Sequence, residues 1–280
     1  MSCAIIPAQN DNNGWLQVMV LLLIKKTFYD FWDNLYSMFL FGIITVVIAA
    51  FCFATCVTVG TNGLQIYAVI IGLIVCLGQF LAAMFFYTYD IAMNEEVKVR
   101  NMFGYISDTW KINLLISGIL SVISILSISG IAFYLRATGP IAIVGTGVLA
   151  GTGIIVGLVL LFFYPFYIRS EGDIVESFKK SAFFISDNPV YVMGIIFGIA
   201  VIVAMSMFSY MIIPGLGAMV LWINVCVRTR LFKYDYRKAT NTHSGDIPWE
   251  EVLKDDIEMY ETRGFSKKVK KDKSGDNSKK

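Results

Sequence analysis

Long apolar blocks alternate with short charged connectors along this chain, and the charge falls in every second connector. A helix needs about 20 predominantly apolar residues to cross a hydrocarbon core of about 30 Å. Blocks of that length leave few folds open, because backbone N–H and C=O groups in lipid must be paired within the protein. The expectation is an all-α fold: a polytopic helical membrane bundle with six transmembrane helices. The spans read as residues 35–57, 66–88, 112–135, 141–167, 190–211 and 215–232. Residues 1–34 form an N-terminal cytoplasmic or interfacial segment, and 233–280 form a cytoplasmic tail. Composition agrees: 56% of residues are hydrophobic and 16% charged, where a soluble domain carries about 25% charged.

Charge sets the expected orientation. All but one of the 23 Lys and Arg residues fall on one side of this layout, the exception being Arg136. Basic connectors stay in the cytoplasm, so both termini are expected inside. The last span is the least certain from sequence. Val190 to Val227 carries no charge and is broken only at Pro214-Gly215. Two short helices with a tight outer turn fit it, and so does one long helix with a re-entrant end. The stretch Trp15–Ile24 is too short to span and reads as interfacial or buried. No cleavable signal is expected, since the basic pair Lys25-Lys26 follows that stretch.

Phe31-Trp32-Asp33-Asn34, Ile106-Ser107-Asp108-Thr109 and Ile185-Ser186-Asp187-Asn188 each precede an apolar span. One reading is three pseudo-repeated helical hairpins, each entered through an Asp N-cap. The other is that aromatic-Asp-Asn combinations are common at membrane interfaces. Residues 96–110 and 174–187 read as amphipathic elbows, with Val99, Phe103, Ile106 and Trp110 on one apolar face and Ile174, Phe178, Ala182 and Ile185 on the other.

Within the spans, Gly147/Gly151, Gly153/Gly157 and Gly194/Gly198 are spaced to let helices approach closely. The formal G-x-G-x-x-A match at Gly145–Ala150 lies within an apolar helix and not after a strand, so it is not read as a nucleotide site. Ser117, Ser121 and Ser124 share a face of the third span, for which the glycine-rich fourth helix is the expected partner. Ser117, Ser121, Gln79 and Asn224 are the residues of a possible polar path, although interhelical hydrogen bonds are the stronger reading for Gln79 and Asn224. No ionisable residue falls near the centre of a span, which argues against a proton-coupled pump. Cys52 and Cys56 lie one turn apart and read as small buried hydrophobes. No cofactor, metal or catalytic constellation is expected. Glu95, Glu96, Glu171 and Asp173 are the carboxylates a cytoplasmic enzyme site would need.

The tail divides in two. Residues 246–262 hold seven acids and one Lys, with Trp249, Leu253, Ile257 and Tyr260 at helical spacing. That apolar stripe fits partner docking, because its acidic face would be repelled by anionic lipid. Residues 264–280 read as disordered, and Lys267, Lys268, Lys270 and Lys271 fit anionic headgroups. Nucleic acid is not an expected partner.

Phe31-Trp32-Asp33-Asn34-Leu35, Asn94-Glu95-Glu96-Val97 and Ser177-Phe178-Lys179-Lys180-Ser181-Ala182-Phe183 running to Asn188-Pro189 resemble the YesL-like family of bacterial polytopic membrane proteins. The resemblance spans roughly residues 25–232. It implies a six-span protein of the bacterial inner (cytoplasmic) membrane. Some members sit near carbohydrate ABC-transporter components, which implies an accessory, non-enzymatic role beside a transporter or other membrane complex. The alternative kept open is a passive permease or channel for a small neutral solute.

Overall fold

A computed structural model of the chain describes residues 12–59, 63–95, 97–98, 100–134, 136, 139–170, 172–209 and 214–240. Those residues form eight helices and no strand: α1 (Asn12–Asp33), α2 (Leu35–Val59), α3 (Gly63–Ala92), α4 (Asn101–Tyr134), α5 (Pro140–Arg169), α6 (Ile174–Asp187), α7 (Pro189–Met207) and α8 (Gly215–Thr240). Six of them, all but α1 and α6, are long and apolar enough to cross a membrane. The chain divides into two compact units, Met1–Val227 and Arg228–Lys280. The described part of the second unit is the end of α8, where the Arg228 guanidinium lies 4.9 Å from the Phe232 ring centre. The tail helix and the lysine cluster expected after residue 240 lie outside the described residues.

Consecutive spans run antiparallel, so that α2–α3, α4–α5 and α7–α8 make three hairpins in series, and the most extensive packing is between hairpins, α3 on α4. In the first, Phe41 of α2 meets Phe80 and Tyr87 of α3 edge-on, and the Tyr87 hydroxyl donates to Ser37 Oγ at 2.7 Å. In the second, α4 and α5 close against each other near their connector, where a Cβ on Gly145 would stand 2.6 Å from the Tyr134 ring and one on Gly130 would stand 2.6 Å from Leu149. In the third, the Tyr191 hydroxyl donates to the Cys226 carbonyl at 2.8 Å. At the other end of that hairpin the Gly215 amide donates to Ser206 Oγ at 3.0 Å.

The expected Asp caps are not there. Asp33 and Asp187 are the last residues of α1 and α6, and Asp108 lies inside α4. The helix-forming pattern runs straight through Asp108, so the elbow expected at 96–110 is largely the first turns of a single 34-residue helix. At 1.5 Å per residue that helix is roughly 50 Å long, well over a bilayer core. The side-chain cap belongs instead to Asp173, which accepts from the Glu176 amide at 3.0 Å and starts α6.

The last span, the least certain from sequence, is a full helix and the best-buried stretch of its unit. Ala218 to Leu221 and Ile223 to Val227 are all buried. Small residues at its start admit neighbours: a Cβ on Gly217 would stand 2.8 Å from Met38 Sδ of α2. Trp222 Nε1 donates to the Ile195 carbonyl of α7 at 3.1 Å, and Asn224 Nδ2 donates to the Phe85 carbonyl and Thr88 Oγ1 of α3 at 2.9 and 2.7 Å. This stretch is therefore held by α2, α3 and α7, and it is apolar on all sides because it has no face left for lipid.

Most of the glycine pairs marked in the sequence do not pack within the chain. A Cβ on Gly147, Gly151, Gly153, Gly157 or Gly194 would meet nothing within 4 Å, whereas one on Gly198 would stand 2.5 Å from Trp222. Close approach is decided by what lies opposite, and α5 turns that glycine face outward. The elbow α6 also differs from its expected face. It buries Ser177, Ser181 and Phe184 and leaves Ala182 exposed. The small serines let the helix settle onto an aromatic wall of α5, where Phe178 lies 4.6 Å from Phe163 and Phe184 lies 5.2 Å from Phe162.

Gly217→Val should lower stability by about 1–3 kcal/mol, the usual cost of overpacking, read as a lower unfolding midpoint in detergent. Gly153→Ala, at an open position, should leave that midpoint unchanged.

Candidate functional site: a polar seam and a buried ion pair

Tyr105, Thr109, Asn113, Ser117 and Ser121 recur every fourth residue along α4. Residues four apart lie on one helix face, and the last four of these are buried. The face is turned to α3. At one end the Tyr105 hydroxyl donates to Asp90 Oδ2. One turn on, Thr109 Oγ1 donates to the Tyr105 carbonyl at 2.6 Å and accepts from Asn113 Nδ2 at 2.9 Å. Asn113 Nδ2 also donates to Gln79 Oε1 at 3.3 Å, and Gln79 Nε2 donates to the Trp110 carbonyl at 3.0 Å. Ser121 bonds back to the Ser117 carbonyl at 2.7 Å. Near the far end, Tyr67 and Ser129 hydroxyls meet at 3.0 Å.

Of the residues proposed for a polar path, the structure brings three into this seam and sends one elsewhere. Gln79, Ser117 and Ser121 lie along α3 and α4. Asn224 bonds α8 to the opposite side of α3 through Thr88. The partner of Ser117 is α3, not the glycine-rich helix α5: a Cβ on Gly78 would overlap Ser117 Oγ. The seam is closed there, and its serines fill the space. Two buried acceptors, Asn113 Oδ1 and Asn224 Oδ1, have no hydrogen-bond partner.

The second feature is a charge pair. Lys26 and Asp30 of α1 are 4% and 3% exposed, and Lys26 Nζ stands 3.3 Å from Asp30 Oδ2. Lys26 Nζ also donates to Asn94 Oδ1 at 3.0 Å. Asn94 has φ +63°, a left-handed conformation that Asn tolerates better than most residues. Its amide bonds to the Ile91 carbonyl at 2.9 Å and the following Glu95 amide bonds to the Asp90 carbonyl at 3.0 Å. That pair of bonds is the Schellman closure of a helix C-terminus. A single residue thus ends α3 through its backbone and holds α1 through its side chain. This gives a physical reason for Asn at the head of the Asn94-Glu95-Glu96-Val97 motif.

Two of the four carboxylates of the enzyme reading, Glu95 and Asp173, lie among the described residues. Asp173 is engaged in its cap, Glu95 is exposed beyond the end of α3, and the side chains of Glu96 and Glu171 are outside the described residues. Among the described residues no group of three or more His, Cys, Asp or Glu is placed to hold a metal. The Cys52 and Cys56 side chains also lie outside the description.

Sequence reasoning missed Tyr105, Thr109, Asn113, Asp30 and the partner of Lys26. The period of four was legible from residue 105 to residue 121. A span boundary set at residue 112 cut it in two. Lys26 was counted only as a charge outside the membrane.

No family model, curated protein or solved structure matches this chain. The resemblance noted above therefore rests on its motifs.

Replacing Lys26 by Ala should cost about 3–5 kcal/mol, because it removes one partner of a buried ion pair. The double variant Lys26→Met, Asp30→Leu should recover most of that loss. Asn94→Gly should keep the α3 turn while losing the side-chain contact to Lys26, so it should be milder than Asn94→Ala. Equilibrium unfolding of the four variants in detergent checks the order.

Proposed function

We propose that this polytopic membrane protein is a non-enzymatic accessory component of a transporter or envelope complex in a bacterial inner membrane, with both termini cytoplasmic. The observation that carries the reading is how the polar side chains at membrane depth are used. Gln79 with Asn113 and the Trp110 carbonyl, and Asn224 with Thr88 and the Phe85 carbonyl, tie helices together, and interhelical polar contacts of this kind act as glue in lipid. A bundle whose polar groups are used this way suits a scaffold better than a conduit. The charge bias of the connectors supports the orientation. The stripe of Trp249, Leu253, Ile257 and Tyr260 on the acidic tail is the proposed docking element, and Lys267, Lys268, Lys270 and Lys271 are the proposed contacts to anionic lipid. A carbohydrate ABC transporter is the partner that the motif resemblance favours.

A passive permease for a small neutral solute is the second reading. It is favoured by the buried, unpartnered Asn113 Oδ1 and Asn224 Oδ1, since unpaired acceptors at lipid depth are costly unless something fills them.

Extraction of the full chain in native lipid discs, followed by mass spectrometry, separates the two. A stoichiometric transporter or envelope partner, lost when residues 246–262 are deleted, is the expected result. A partner-free particle that passes neutral solutes in liposomes, independently of pH and sodium, would establish the permease instead.

A further inference from the structure

Helix α1 is amphipathic in the opposite sense to a helix lying on a protein in water. Its buried face carries two of its four charged residues, Lys26 and Asp30, with Leu23 and Thr27, while Lys25 and Asp33 are exposed. Its exposed face carries Leu21, Ile24, Phe28 and Trp32, each more than half exposed. These four follow one another at intervals of three and four residues and form one stripe. Phe28 and Trp32 stack on each other, 6.1 Å between ring centres, which makes the stripe flat and wholly apolar. On its flank are the exposed Lys25 and Tyr29.

We propose that α1 is embedded in the bilayer at the charged end of the bundle, with the stripe from Leu21 to Trp32 against lipid and the Lys26–Asp30 pair turned inward onto Asn94. The occupant is lipid because the stripe continues into a lipid-facing surface. Only Asn34 separates α1 from α2, and Tyr36, Val47 and Phe51 of that span are 60–70% exposed. The neighbouring elements at the same end have the same character. Phe103 and Trp110 in the first turns of α4, and Val175 and Phe183 of α6, are each at least half exposed. Exposed aromatics gathered at one end of a membrane bundle mark the headgroup boundary. Lys111 lies 5.7 Å from the centre of the Trp110 ring, the arrangement of a lysine whose stem stays apolar while its ammonium reaches outward.

An ion pair would otherwise be out of place at that depth. An isolated lysine near lipid extends toward water, but Lys26 is buried on the protein side and neutralised by Asp30. The charge pair and the apolar stripe thus have one explanation: this part of α1 lies in an apolar medium, so Lys26 and Asp30 seek each other and the protein.

A photo-crosslinking amino acid, p-benzoylphenylalanine, placed at Phe28 and separately at Trp32 of the full chain, tests this. The protein is reconstituted in phosphatidylethanolamine–phosphatidylglycerol liposomes, and adducts are read by mass spectrometry. The same substitution at Phe51, on α2, is the lipid-facing reference. Expected are lipid adducts at 28 and 32 with yields comparable to those at 51. Crosslinks to a second copy at these sites would overturn the proposal in favour of a self-association face. Adducts at 51 but none at 28 and 32 would overturn it in favour of a helix standing in water. Because both probes replace exposed aromatic side chains, the fold is not at stake, and a single size-exclusion peak checks this.

Discussion

Lipid offers no hydrogen bonds, so every polar group at membrane depth must find its partner in the protein. Most of what distinguishes this bundle follows from that constraint. The seam between α3 and α4 is held where Asn113 Nδ2 donates to Gln79 and Gln79 Nε2 donates to the Trp110 carbonyl. The placement of α8 follows too: Asn224 reaches α3, Trp222 reaches the α7 backbone, and each contact fixes the rotation of the helix about its axis. In water the hydrophobic effect would bring such helices together with little regard for register. In lipid that drive is absent, and small residues and polar pairs decide which faces meet.

The same rule explains why α1 and α3 are joined by charges. A buried ion pair gains little net stability, because desolvation offsets most of its attraction. What it supplies is geometry. Lys26 reaches the Asp30 carboxylate and the Asn94 amide oxygen, and the amide oxygen comes from the residue whose left-handed backbone ends α3. Ending the helix and seating α1 are one structural event, which ties an element outside the six spans to the end of α3.

Several features were legible in the sequence. Six spans, their approximate limits and the hairpin order follow from block length and charge, since both are set by bilayer thickness and the cost of inserting charge. The faces were less legible. The pairs at Gly147/Gly151 and Gly153/Gly157 have the spacing of a packing surface, yet α5 turns them outward, while Gly78, which belongs to none of the marked pairs, lies at the tightest approach. A nearly uniform apolar helix has almost no amphipathic signal to say which side is in. The Asp residues before the spans have cap-like context, yet α4 runs through Asp108 without a break.

The sequence by itself determined the class of the protein and its six helices long and apolar enough to cross a membrane. Those properties depend on composition summed over about 20 residues, and summation survives ignorance of contacts. Only the tertiary structure decided that Ser117 faces Gly78, that the stretch from Ala218 to Val227 is enclosed, and that Lys26 is buried against Asp30 and Asn94. Each of these is a pairing between residues far apart in the chain or a choice of helix face. In an apolar solvent such choices are made by a few short-range contacts, and no local pattern encodes them.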